Sequence, residues 1–146
     1  MSAISLEGLR RRANEREEAI EQAIRGAAVL GLLAALVTVI ALPLRLQAQS
    51  HTLFGAGITG DRFSLLLSSA WGLSWSVQAA GAIAAAAGFL IVTRFPPAGL
   101  AIAAIGAVLL AFSPGLSGHA AAVESLTMPA IISDGLHVLG AGTWLG

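Results

Sequence analysis

The sequence predicts an all-α fold, a polytopic transmembrane helix bundle of about four spans with its N-terminus in the cytoplasm. Of the 146 residues, 56% are hydrophobic and 11% are charged, whereas a soluble domain carries about 25% charged residues. Mean hydropathy is +0.82. A spanning helix needs about 20 mostly apolar residues, and we expect such spans at about 26–45, 65–93, 97–115 and 129–146.

Residues 1–25 form a charged segment that precedes the first span. Glu7–Arg11 and Glu21–Arg25 are spaced one helical turn apart and can pair. We interpret the segment as a cytoplasmic lead-in helix, with a solvated charged stretch as the alternative. The apolar run after it is longer than the roughly 7–15 residues of a signal-peptide core, and no A-x-A cleavage site follows it. We therefore expect a retained first span.

The spans of the predicted transmembrane domain, residues 26–146, end at charges or helix-breaking residues. Arg25 and Arg45 flank the first span. Pro96-Pro97 ends the second and forces a turn, and Pro114-Gly115 ends or kinks the third. Pro129 suits the first turn of the fourth.

The distribution of arginines predicts the orientation. All eight basic residues are Arg, and five of them precede the first span. Two more lie between the first and second spans, and Arg94 follows the second. The positive-inside rule then places the N-terminus and Arg94 in the cytoplasm. Loops at about 46–63 and 114–129 face the extracytoplasmic side, and all three histidines gather near that side.

Asp134 and His137 are the strongest site candidates, because their i,i+3 spacing puts them on one helix face. Ionisable side chains at membrane depth are costly and are functional candidates by default. Imidazole with carboxylate is a common metal-ligand pairing. His119, at the end of the third span, is the third candidate. The residues leave open a shared metal site, a buried His–Asp hydrogen bond that locks the third and fourth spans, and a proton relay.

Three further residues are weaker metal candidates. His51 lies in the predicted first outer loop beside glutamines, where a solvated histidine is the ordinary interpretation. Glu124 and Met128 lie in the loop between the stronger histidines. Thioether and imidazole together favour Cu(I), although Met also fills gaps in packed interfaces.

Several function classes find no support in the residues. Net charge is zero, so no nucleic-acid partner is indicated. The chain has no Cys and therefore no thiolate ligand, and no phosphate-binding G-x-x-x-x-G-K-[ST] motif is present. Ser133 precedes Asp134 directly and does not share its helix face, so a hydrolase arrangement is not supported. We expect no enzymatic activity.

The motifs near the C-terminal end resemble those of the copper-resistance protein D (CopD) family. That family carries a G-H-A segment, then a helix with D-x-x-H that ends in W-x-G-G. The matching residues here are Gly118-His119-Ala120, Asp134 with His137, and Trp144-Leu145-Gly146. The stretches 44–50 and 71–75 also resemble the preceding helices of that family, so the resemblance covers roughly residues 26–146.

The resemblance implies a multi-pass protein of the bacterial plasma (inner) membrane that handles copper, as Cu⁺ or Cu²⁺, in import or tolerance. It implies a periplasmic copper-binding protein as partner, and His119, Asp134 and His137 as site residues. Because the family continues with a second glycine and further spans, we expect this chain to be part of a longer protein. Two alternatives are a haem-binding electron carrier using His119 and His137 as axial ligands, and a metal-free accessory subunit.

Overall fold

The computed structural model describes residues 3–118 and 126–145, and all regular secondary structure in those ranges is helical. The α-helices are α1 (Ala3–Phe54), α2 (Gly60–Leu67), α3 (Ala70–Ile91), α4 (Pro96–Phe112) and α5 (Thr127–Leu145), with a 3-10 turn at Pro114–Leu116. Three stretches in the described ranges are long and apolar enough to cross a membrane, within α1, α3, and α4 with its 3-10 turn. With 19 residues, α5 also has spanning length. The all-α, multi-pass membrane fold is confirmed.

The lead-in segment and the first span form one continuous helix. Its 52 residues extend over about 78 Å at a rise of about 1.5 Å per residue, more than twice the hydrocarbon thickness of a bilayer. Arg25 pairs with Glu21 at 3.4 Å, as their spacing predicts. Arg11 pairs with Glu15 at 2.9 Å rather than with Glu7.

The prediction of an outer loop at 46–63 is wrong for most of its length. Helix α1 continues to Phe54, a short turn follows, and α2 begins at Gly60. The polar residues after Arg45 include good helix formers, and polarity alone does not end a helix. The helix ends at Gly55, which has a φ of 66° and donates its N–H to the His51 carbonyl at 2.9 Å. A left-handed glycine of this kind is a common helix terminator.

The predicted second span, 65–93, is divided by a helix break at Ser68–Ser69. The Ser69 hydroxyl accepts a hydrogen bond from the Gly72 N–H at 3.1 Å and so caps the start of α3. Gly72 packs directly against the backbone of Leu66, where a side chain would collide. The membrane-crossing helix therefore starts at Ala70, with α2 as a separate short element.

Helices α3 and α4 form a close antiparallel pair through small residues. A Cβ on Gly106 would lie 2.5 Å from the Ala85 nitrogen and 2.7 Å from the Gly81 oxygen. A Cβ on Gly88 would lie 2.7 Å from the Gly99 oxygen. Small residues at such positions let helix backbones approach closely, which is how helices associate in a bilayer where lipid is as apolar as the side chains.

Helix α1 packs against α3, and α5 packs against α4 and the 3-10 turn. Gly31 of α1 faces the Phe89 ring, and Gly135 of α5 faces the Phe112 ring. Within the described ranges, α1 and α5 make no packing contact with each other. The remaining faces of α1 expose large apolar side chains such as Leu30, Val37 and Ile40, and these faces contact the lipid bilayer.

Candidate functional site

Several polar contacts lie at one end of the bundle, where α1 passes Pro43, α3 begins and α4 ends; we call this the Pro43 end. The Trp75 indole donates to the Leu42 carbonyl at 3.0 Å. The Ser74 hydroxyl donates to the Ser113 carbonyl at 2.7 Å, and both serines are buried. These two bonds link α3 to α1 and to the end of α4, and so fix how far the three helices are shifted along one another.

An open groove of about 590 Å³ lies at this end, between the 3-10 turn and α5. Asp134 and His137 both line it and both are exposed. The opposite wall includes Gly115, where an added Cβ would lie 3.5 Å from Oδ2 of Asp134. The groove lining is Pro114, Gly115, Gly118, Ala130, Ser133, Asp134 and His137. The predicted shared face of Asp134 and His137 thus opens onto one cavity.

Asp134 and His137 face outward because α5 packs against α4 through a different face. Ile131, Gly135 and Leu139 recur every four residues and are among its less exposed positions. Gly135 has no side chain, so the Phe112 ring fits directly against the helix. Asp134 and His137 lie on a different face, one turn apart, and therefore stay free of the contact with α4.

Only Asp134 and His137, of the candidate ligands near the C-terminal end, meet in one groove among the described residues. Asp134 and His137 make no hydrogen bond to each other within residues 126–145, and both are exposed, so these two side chains do not form a buried His–Asp pair in the described ranges. No group of three His, Asp or Glu side chains is gathered among the residues that the structure describes. His119 and Glu124 lie outside those residues, and so does any pairing of His119 with His137 around haem.

The structure places His51 in the last turn of α1 rather than in a loop. Its Nε2 lies 3.2 Å from Nε2 of Gln47. Oε1 of the same glutamine accepts the Ile58 N–H at 3.1 Å, and the buried Ser50 hydroxyl donates to the Ala56 carbonyl at 2.9 Å. These bonds close the turn after α1. His51 therefore belongs to a helix-end structure on α1, which does not pack against α5.

Met128 lies in the first turn of α5, is 66% exposed and does not line the groove. Met128 therefore does not join Asp134 and His137 in the groove lining.

A polar cluster that the sequence analysis missed joins α1 to α3. Arg45 donates through Nη1 to Oε1 of Gln78, and its guanidinium carbon lies 5.9 Å from the centre of the Trp71 ring. Trp71, Trp75 and Gln78 share one face of α3, since they are spaced i, i+4 and i+7. The helical spacing of these three residues was the sequence signal that could have revealed the cluster.

No family model, curated protein or solved structure matches this chain.

Proposed function

We propose that this chain binds copper at the Pro43 end of the bundle and handles it in import or tolerance across a bacterial plasma (inner) membrane. The observation that carries the proposal is the placement of Asp134 and His137 together in one open groove. A carboxylate and an imidazole, both accessible and without protein partners in the described ranges, form the start of a metal-ligand set.

A third ligand in this proposal is His119. Gly118 lines the same groove, and His119 is the next residue in the sequence. Two imidazoles and one carboxylate suit either copper oxidation state, because imidazole binds copper well and carboxylate favours the harder Cu²⁺.

In the orientation that the arginine distribution predicts, this end faces the periplasm. Copper is the cargo, and a periplasmic copper-binding protein is the proposed donor or acceptor. The groove is open, which suits reversible binding and exchange with such a partner. The resemblance of the C-terminal motifs to those of the CopD family supports the choice of metal.

Copper titration of the purified full chain in detergent tests the proposal. We expect His119→Ala and His137→Ala each to remove most binding, with non-additive effects in the double variant because the residues share one site. Asp134→Asn keeps the shape and removes the charge, and should weaken binding about 10–100-fold. The matched control is His51→Ala, which should bind as the wild type does.

Wild-type-like copper binding by both single histidine variants would overturn the site. Absence of copper binding by the wild-type chain, with a haem absorption spectrum in its place, would favour the electron-carrier alternative. Absence of both would favour the metal-free accessory subunit.

A further inference from the structure

Two adjoining grooves lie at the opposite end of the bundle, where α1 passes the turn between α3 and α4. The first, of about 470 Å³, is lined by Glu21, Ile24, Arg25, Val92, Thr93 and Pro96. The second, of about 320 Å³, is lined by Arg25 and Thr93 together with apolar side chains that include Ala28, Leu32, Phe89 and Leu90. Arg25 and Thr93 belong to both grooves and mark the point where they meet.

Along α1 the groove lining changes from an acidic side chain to a basic one and then to an apolar face. Glu21 comes first, Arg25 follows one turn later, and an apolar face begins at Ala28. Arg25 is the last charged residue before the apolar span, and an arginine at the end of a spanning segment extends to the headgroup level. The side chains of Glu21 and Arg25 are 70% and 71% exposed and their closest N···O distance is 3.4 Å. Both therefore remain accessible to a ligand.

We propose that these grooves bind one phospholipid with a zwitterionic headgroup that ends in a primary ammonium. The acyl chain lies in the apolar groove against Phe89, the phosphate contacts Arg25 and the Thr93 hydroxyl, and the ammonium contacts Glu21. This order, acyl chain then phosphate then ammonium, repeats the order of the groove lining. The Arg–carboxylate pair has no net charge, which matches a zwitterionic headgroup better than an anionic one.

The site is distinct from the proposed copper groove and does not depend on it. Its leaflet is cytoplasmic in the orientation that the arginine distribution predicts. Arg25 can supply a charge-assisted donor for the lipid phosphate, and the acid next to Arg25 adds selectivity for the ammonium.

Lipid binding to the delipidated full chain in detergent tests the proposal, using phosphatidylethanolamine, phosphatidylglycerol and phosphatidylcholine with identical acyl chains. We expect phosphatidylethanolamine to bind about fivefold more tightly than phosphatidylglycerol, the effect of about one interfacial charge contact. Phosphatidylcholine, which has no N–H donor, should bind more weakly than phosphatidylethanolamine. Inorganic phosphate should not displace the lipid, because it lacks the acyl chain.

Two variants separate the roles of the charges. Glu21→Gln should reverse the preference toward phosphatidylglycerol, and Arg25→Gln should weaken both lipids. The matched controls, Arg16→Gln and Glu17→Gln, alter exposed charges of the same helix outside both grooves and should change neither lipid. Equal binding of the two lipids by the wild type, an unchanged preference in Glu21→Gln, or displacement by inorganic phosphate would each overturn the proposal.

Discussion

The indole Nε1 of Trp75 donates a hydrogen bond to the main-chain carbonyl of Leu42, 3.0 Å away, where α3 crosses α1. The next residue is Pro43, the proline inside α1. Because proline has no N–H, α1 lacks one of its internal hydrogen bonds at this turn. The indole therefore joins the two helices beside the weakest turn of α1.

Replacing Trp75 with Phe should lower thermal stability in detergent. The variant keeps an aromatic ring but removes the donor, and an interhelical hydrogen bond of this kind contributes about 0.5–1.5 kcal/mol. Trp144→Phe is the matched control, because Trp144 is 89% exposed. Equal melting temperatures for the two variants would show that the bond to Leu42 does not stabilise the bundle.

Gly106→Ala should destabilise the contact between α3 and α4. The added methyl would lie 2.5 Å from the Ala85 nitrogen, and overpacking of this kind costs about 1–3 kcal/mol. Gly140 has no neighbouring atom within 4 Å of an added Cβ. Gly140→Ala should therefore be neutral or stabilising, since alanine is the better helix former. Unfolding in detergent measures both, and a stable Gly106→Ala variant would contradict the close approach of the helices.

Arg45 and Gln78 should be energetically coupled across α1 and α3. A double-mutant cycle with Arg45→Met and Gln78→Leu should give a coupling of about 0.5–3 kcal/mol, the range found for residues in contact. The control cycle pairs Gln78→Leu with Arg94→Met, because Arg94 lies in the turn at the other end of α3. It should give additive effects. Additivity in the first cycle would exclude a stabilising Arg45–Gln78 bond.

The orientation can be tested with single cysteines, because the chain has none. Thr52 near the end of α1 and Ala98 in the first turn of α4 are both exposed and lie at opposite ends of the bundle. In spheroplasts, an impermeant maleimide should label Thr52→Cys, and it should label Ala98→Cys only after the membrane is opened. The reverse pattern would place the Asp134 groove in the cytoplasm and contradict periplasmic copper binding.

The sequence predicted the spans better than the segments between them. Long apolar runs report directly on membrane crossing, and α1, α3 and α4 confirm them. Residues 46–54 were misassigned because their polar side chains suggested a loop, whereas the helix-ending signal was Gly55. The break before α3 was missed because a serine cap in an apolar run leaves the hydropathy almost unchanged.

Local spacing also predicted part of the site. Helical periodicity was enough to place Asp134 and His137 on one face, because both belong to α5. The groove itself depends on the position of α5 relative to the 3-10 turn. The contact between Gly135 and the Phe112 ring helps to fix that position. The Arg45 cluster likewise joins residues 33 positions apart, which single-helix periodicity cannot pair.

Because α1 is one continuous helix, a tilt of its charged half also moves its other end. A rod of about 78 Å that tilts by about 10° around its centre moves each end by about 7 Å. If α1 moves as one body, a partner that displaces its charged N-terminal half also shifts the turn after Phe54. The helix bends most easily at Pro43, where one internal hydrogen bond is missing. The hydrogen bond from the Trp75 indole to the Leu42 carbonyl opposes that bending.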